Sequence, residues 1–118
     1  MKEKPFIERR RYPRIEKKLP LQIITDKYDI STETKNLSCI GAYCSIDRDI
    51  PVLTKLSITI LLPGKSKNKY TEVRCKGVVV RKEKNPSGGF NIGIFFNDIT
   101  QKQKEKISKY IYKHSRII

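Results

Sequence analysis

Histidine, cysteine and long apolar runs are scarce in this chain of 118 residues. The single histidine, His114, and the three cysteines, Cys39, Cys44 and Cys75, are too few and wrongly spaced for a structural zinc site. An odd number of cysteines without a C-x-x-C pair indicates reduced thiols. No apolar run approaches the roughly 20 residues that a membrane-spanning helix needs, and the first residues lack the apolar core of a signal peptide. We therefore expect a cytoplasmic protein without membrane insertion.

The residue patterns of common catalytic sites are also missing. The chain contains no G-x-x-x-x-G-K phosphate loop, no serine nucleophile elbow and no cysteine–histidine pair close in sequence. His114 falls on the apolar side of a terminal helical pattern, where a packing or exposed histidine is expected rather than a general base. The sequence therefore predicts a binding protein without catalysis, metal or cofactor.

Acidic residues are few relative to basic ones, and the excess positive charge is concentrated at the two ends of the chain. There are 26 Lys and Arg against 12 Asp and Glu, which gives a net charge of +14. Ten of these fourteen charges lie in residues 1–18 and 101–118. Such a distribution attracts anions and accelerates their association. Charge alone leaves three ligand classes open: nucleic acid, an acidic protein surface and a phosphorylated small molecule.

Apolar residues follow the two-residue period of β-strands over most of the chain. The alternation predicts strands at 19–25, 28–35, 42–46, 56–62, 70–82 and 90–96, with a turn at 36–41. At the end, Thr100 and Gln103 form a capping-box pattern, and Ile107, Tyr110, Ile111 and His114 share one helical face. Six short strands joined by turns are typical of a small antiparallel barrel. We therefore predict a mainly β fold: a flexible basic arm (1–18), then a six-stranded antiparallel barrel with a C-terminal α-helix (19–118).

Two polar motifs carry a family resemblance through their order in the chain. Arg10 and Arg14 are the ends of an R-x-x-x-R motif in the arm. An N-x-S-x-x-G motif follows the second predicted strand and consists of Asn36, Ser38 and Gly41. Together with the last strand (G-I-F-F) and the closing helix, they resemble the signature of stand-alone PilZ domains over nearly the whole chain. The resemblance implies a bacterial second-messenger receptor in which both motifs bind cyclic di-GMP on the outer surface of the barrel.

The residue types in these motifs suit such a ligand. An arginine guanidinium can donate two hydrogen bonds to guanine O6 and N7, pair bidentately with phosphate, or stack on a base. Asn36 and Ser38 can offer short donors and acceptors, and Gly41 can allow a close approach that a Cβ would block. Asn36 is neutral, so it cannot form the ion pair with an arm arginine that an aspartate could form. Arg9 and Arg11 adjoin the first motif as further candidates, and Arg9 could engage a second, stacked ligand molecule.

The resemblance leads us to expect a transition in which the arm folds across the ligand and the barrel, creating a surface for a downstream protein partner. Two alternatives remain. A small basic barrel can bind nucleic acid, and Tyr12, Tyr28 and Tyr43 are the aromatic residues outside the predicted core faces. A PilZ-like domain can also serve as a protein-interaction module that does not bind the nucleotide.

Overall fold

A computed structural model describes residues 12–66 and 68–114, which form six β-strands followed by one α-helix. The elements are β1 (Pro20–Ile24), β2 (Asp29–Ser38), β3 (Gly41–Ile46), β4 (Lys55–Pro63), β5 (Tyr70–Lys84), β6 (Phe90–Asp98) and α1 (Gln101–His114). Neighbouring strands are antiparallel and close into a barrel in the order β1-β2-β3-β6-β5-β4, because β1 pairs with β4. The predicted mainly β fold, a six-stranded antiparallel barrel with a C-terminal helix, is confirmed.

The hydrophobic core lies inside the barrel, where each strand contributes alternate apolar residues. β4 shows the pattern most clearly, with every second residue buried: Leu56, Ile58, Ile60 and Leu62. Successive side chains of a strand point to opposite faces, so one apolar face fills the interior and the other meets solvent. Because the barrel closes, each of the six described strands is paired on both sides. Ligand-binding side chains therefore have to lie on the outer face or at the turns.

β2 is longer than the sequence pattern predicts, and this shortens the turn that follows it. Pairing with β3 continues through Asn36 to Ser38, so that only Cys39 and Ile40 form the turn. The prediction of a turn over residues 36–41 is therefore wrong in its extent. Hydrogen bonding to β3 keeps this polar segment extended, although its composition is typical of a turn. Asn36 and Ser38 of the N-x-S-x-x-G motif consequently belong to β2.

The start of α1 differs in one respect from the predicted capping box. Thr100 Oγ1 accepts a hydrogen bond from Gln103 N at 3.3 Å, as an N-cap residue should. In a capping box the Gln103 side chain would also accept a hydrogen bond from Thr100 N. Here Gln103 Oε1 instead accepts a hydrogen bond from Arg74 N of β5 at 3.0 Å. Gln103 thus ties the helix to the barrel instead of closing the helix end.

The apolar face of α1 packs on the barrel through Ile107, Tyr110 and Ile111, which are buried. His114 is exposed at the end of this face, and its ring stacks on that of Tyr110 with centroids 4.1 Å apart. The helix contacts β5 and β2. No helix among the described residues is long and apolar enough to cross a membrane.

The part of the basic arm that the structure describes lies along β2. Ile15 and Leu37 form an isolated antiparallel bridge, with N–O distances of 2.9 Å and 3.0 Å. Nearby, the Thr34 hydroxyl donates to Lys17 O at 2.6 Å and accepts from Leu19 N at 3.1 Å. Thr34 N also donates to Leu19 O at 2.9 Å. The chain is therefore attached to the barrel before β1 begins.

Candidate ligand-binding site

Arg14 of the first motif contacts Asn36 of the second. The bridge between Ile15 and Leu37 brings the arm onto β2, and Ile15 is buried while Arg14 is exposed. Arg14 Nη1 donates a hydrogen bond to Asn36 Oδ1 at 3.0 Å. The neutral asparagine thus holds the arginine by a charge-assisted hydrogen bond rather than by an ion pair. Two motifs that are 22 residues apart in sequence therefore meet on the outer surface of the barrel.

A β-bulge in β2 turns Asn36 outwards. Thr34 pairs with Cys44 and Asn36 pairs with Tyr43, so Lys35 is an extra residue in β2. In an unbroken strand Asn36 would share the inward face of Thr34, because residues two apart point the same way. The bulge shifts the alternation by one residue. Asn36 is therefore accessible from outside the barrel.

Ser38 stabilises the β2–β3 turn in this structure. Its side chain is buried, with a relative exposure of 1%, and its Oγ accepts a hydrogen bond from Ile40 N at 3.2 Å. Serine hydroxyls commonly stabilise turns through such a bond to the backbone two residues later. A direct contact between Ser38 and a ligand stays a prediction.

Gly41 allows β3 to lie unusually close to β6. A Cβ at this position would lie 2.5 Å from the carbonyl oxygen of Ile94, which is shorter than real Cβ contacts. The close approach predicted for this glycine is therefore present between two strands. The approach of a ligand to Gly41 stays a prediction.

Arg9, Arg10 and Arg11, the other arginines predicted for the site, lie outside the described residues. Of the R-x-x-x-R motif, the structure therefore places only Arg14 beside Asn36.

Comparison with known proteins places the chain in a family. A model of the PilZ domain family matches residues 8–113, which include both motifs, all six strands and α1 except its last residue. The chain belongs to the PilZ domain family. A search of curated proteins found no match.

Two solved structures share the fold of this PilZ domain at low sequence identity. The Bacillus subtilis inhibitor of motility (MotI/DgrA) superposes with a TM-score of 0.80 at 21% identity, over 92% of this chain and 52% of that one. This chain thus spans about half the length of that protein. The PilZ domain with c-di-GMP of YcgR from Escherichia coli gives a TM-score of 0.64 at 15% identity, over 92% and 93% of the two chains.

Three further residues of this PilZ domain lie beside Asn36 on the outer surface. Asn36 of β2 pairs with Tyr43 of β3. Across the next two strands, Tyr43 pairs with Gly93 of β6, and Gly93 pairs with Arg81 of β5. The Arg81 guanidinium carbon is 5.0 Å from the centroid of the Tyr43 ring. Sequence reasoning identified only Tyr43, as an aromatic residue outside the predicted core faces. We refer to Asn36, Tyr43, Gly93 and Arg81 as the outer row.

The three thiols are free and lie within or beside the core. Burial raises the pKa of Cys44 to about 12, against the opposing effect of the Lys35 charge. Burial, with a contribution from the Asp98 carboxylate, raises the pKa of Cys75 to about 12. Both thiols are therefore protonated at neutral pH and poorly nucleophilic. Within residues 12–66 and 68–114, no group of three His, Cys, Asp or Glu side chains could hold a metal ion.

Among the cavities that the described residues line, two lie away from the outer row. The larger, of about 960 Å³, is lined by both cationic and anionic side chains, including Lys27, Lys55, Lys76, Asp26, Asp49 and Asp98. The smaller, of about 600 Å³, lies between α1 and the β4–β5 hairpin, and its charged lining consists of Lys65, Lys106, Lys109 and Lys113, beside His114. Of these two, the smaller has the charge that favours an anionic partner.

Proposed function

We propose that this PilZ domain binds cyclic di-GMP between its arginine arm and the outer face of β2, and that it acts as a ligand-switched adaptor without catalysing a reaction. PilZ domains are regulatory binding domains. The observation that carries the proposal is the hydrogen bond between Arg14 and Asn36, because it joins the two motifs into one polar surface.

The chemistry of this contact suits a guanine nucleotide. One Nη1–H of Arg14 is engaged by Asn36, which orients the guanidinium and leaves its remaining donors for guanine O6 and N7 or for a phosphate. The Asn36 amide nitrogen has no acceptor among the described residues, so it can donate to the same ligand. Lysine at position 14 would supply charge but not the planar fork of donors.

The proposed switch is an ordering of the arm on the ligand. The bridge between Ile15 and Leu37 attaches the arm to β2 and provides a fixed point from which residues N-terminal to Pro13 can close over a nucleotide. The bound nucleotide and the arm would then form a composite surface for a protein partner. We expect ligand to increase hydrogen-exchange protection within residues 5–16, and equal protection with and without ligand would contradict the switch.

Calorimetric titration with cyclic di-GMP at physiological salt tests the binding proposal. We expect saturable binding by the wild-type protein and no comparable heat with GTP. Hydrogen bonds to a charged group are worth about 1.5–3 kcal/mol, so Arg14→Ala should raise the Kd by about tenfold or more. Arg74→Ala is the matched control, since it removes the same charge from an exposed arginine paired with Glu72 instead.

The titration also decides between the alternatives. Absence of binding by folded wild-type protein would refute the proposal and favour a protein-interaction module. The lysine-lined cavity beside α1 favours nucleic acid as the second candidate, for which oligonucleotide affinity should fall steeply with salt.

We also propose that Arg9 engages a second, stacked nucleotide. Saturation at one cyclic di-GMP per chain would contradict that stoichiometry.

A further inference from the structure

We propose that Arg81 and Tyr43 form a stacking platform for one guanine base and thereby extend the nucleotide site across β3, β6 and β5. Neither residue belongs to the R-x-x-x-R or N-x-S-x-x-G motif. The inference rests on the proposed binding of cyclic di-GMP and specifies how a second part of that ligand is held.

A second β-bulge turns Arg81 towards this row. Val79 is buried and pairs with Ile94, whereas Arg81 pairs with Gly93, so Val80 is the extra residue in β5. Without the bulge, Arg81 would share the inward face of Val79. The bulges in β2 and β5 therefore turn Asn36 and Arg81 onto the same outer face, at opposite ends of one row. Bulges are frequent beside binding sites because they redirect single side chains in this way.

Gly93 lets Arg81 reach across β6 to the Tyr43 ring. A Cβ on Gly93 would lie 3.4 Å from Arg81 Cβ and 3.9 Å from both Arg81 Nε and Tyr43 Cδ1. A larger side chain would therefore occupy the space that the Arg81 side chain crosses. With glycine there, the guanidinium carbon lies 5.0 Å from the Tyr43 ring centroid. This distance is within the range of a cation–π contact.

The Arg81 guanidinium has no hydrogen-bonding partner among the described residues. Other described arginines are engaged: Arg14 with Asn36, Arg48 with Asp47 and Arg74 with Glu72. Tyr43, in contrast, is held by a hydrogen bond from its hydroxyl to Glu83 Oε1 at 3.1 Å. An oriented ring therefore supports a guanidinium whose donors and outward face are available to a ligand.

The position of the platform fits a ligand with two bases. Tyr43 lies directly opposite Asn36, and such cross-strand pairs have Cβ atoms about 4.5–5.5 Å apart. A base stacked on Arg81 would therefore lie beside the part of the ligand that Arg14 and Asn36 contact. Cyclic di-GMP carries two guanines, so one ligand can engage the two arginines at once. Arginine stacks on bases and donates to guanine edges, which suits it to this position.

Titration of cyclic di-GMP into Arg81→Ala, Arg81→Lys and Tyr43→Ala tests the platform, with Arg74→Ala as the matched control on the same strand. Removal of a side chain on which a base stacks typically weakens binding by about fivefold or more. We expect such a rise in Kd for Arg81→Ala, Arg81→Lys and Tyr43→Ala. Arg74→Ala removes a charge elsewhere on β5, so it should bind within about twofold of wild type. Thermal unfolding establishes that each variant is folded.

A second measurement needs no substitution. The ring protons of Tyr43 in the wild-type protein should shift on addition of cyclic di-GMP, whereas those of the exposed Tyr70 should not. Unchanged Tyr43 resonances at saturation would overturn the platform, as would equal affinities for Arg81→Ala and Arg74→Ala. If wild type binds and Arg14→Ala does not, that result leaves the proposed function intact. Failure of wild type to bind would refute the proposed function itself.

Discussion

Thr34 is the residue whose substitution most directly tests how the arm is anchored. Its hydroxyl donates to Lys17 O at 2.6 Å and accepts from Leu19 N at 3.1 Å, and its side chain is only 1% exposed. Thr34→Val keeps the branched shape of the side chain but removes both bonds. The substitution should therefore loosen the segment that positions Arg14 while leaving the packing of β2 nearly unchanged.

The expected loss of stability follows from the two groups left without a partner. A buried donor that loses its only acceptor costs about 1–3 kcal/mol. Leu19 N is such a donor, whereas Lys17 is exposed and its carbonyl can bind water instead. We therefore expect Thr34→Val to lower the free energy of unfolding by about 1–2 kcal/mol. For a domain of this size, that corresponds to a fall in Tm of at least about 4 °C.

Thermal and urea unfolding measure this loss, and Thr59→Val provides the matched control. Thr59 lies half-buried on β4, and its hydroxyl forms no hydrogen bond with any described residue. The control should stay within about 0.5 kcal/mol of wild type. Hydrogen exchange at the Leu19 amide should be faster in Thr34→Val than in Thr59→Val, and the affinity for cyclic di-GMP should be lower.

Equal unfolding free energies for the two variants would refute this reasoning. They would show that the Thr34 hydroxyl contributes nothing to the attachment of the arm. A loss of stability without faster exchange at Leu19 would instead place the effect in the packing of the core.

Two further predictions concern the stability of the barrel. Gly41→Ala should lower the free energy of unfolding by about 1–3 kcal/mol because its Cβ would meet Ile94 O. A Cβ on Gly93 has ordinary contacts, so Gly93→Ala should lower the free energy of unfolding by less. Equal losses for the two variants in urea unfolding would contradict a role for the close approach at Gly41. Burial raises the pKa of Cys44 and that of Cys75 from 9.0, the value expected in the unfolded chain, to about 12 in the folded protein. Between pH 9 and pH 12 the folded state therefore binds more protons than the unfolded state, so the free energy of unfolding should fall as the pH rises through this range. Urea unfolding at pH 8 and pH 10 measures this fall in the free energy of unfolding, which should be smaller in a Cys44→Ala/Cys75→Ala variant than in wild type. An equal fall in both proteins would exclude a contribution from the thiols.

The barrel itself could be predicted from local patterns. In β4 and β6, alternation of apolar and polar residues distinguishes the buried face from the exposed one without any knowledge of partners. The end of β2 could not be predicted in this way. Its residues Asn36 and Ser38 favour turns when considered locally, but pairing with β3 keeps them in a strand.

The candidate site was predictable in its motifs but not in its arrangement. The order of Arg14 and Asn36 in the chain indicated that they act together, and the structure supplies the contact between them. Gln103 shows the opposite case, because its position predicted a capping box but its side chain binds Arg74 N across the fold. A side chain with two available partners takes the one that tertiary packing places within reach.

The sequence by itself determined the six strands, the closing helix and the two polar motifs, because strand period, turn composition and motif spacing are local properties of the chain. Only the tertiary structure decided which outer residues become neighbours. Lys35 and Val80 look like ordinary strand residues, yet each is the extra residue of a bulge that reverses the direction of the side chains after it. Bulges and register depend on pairing between distant strands, and they are what place Asn36, Tyr43 and Arg81 in one row.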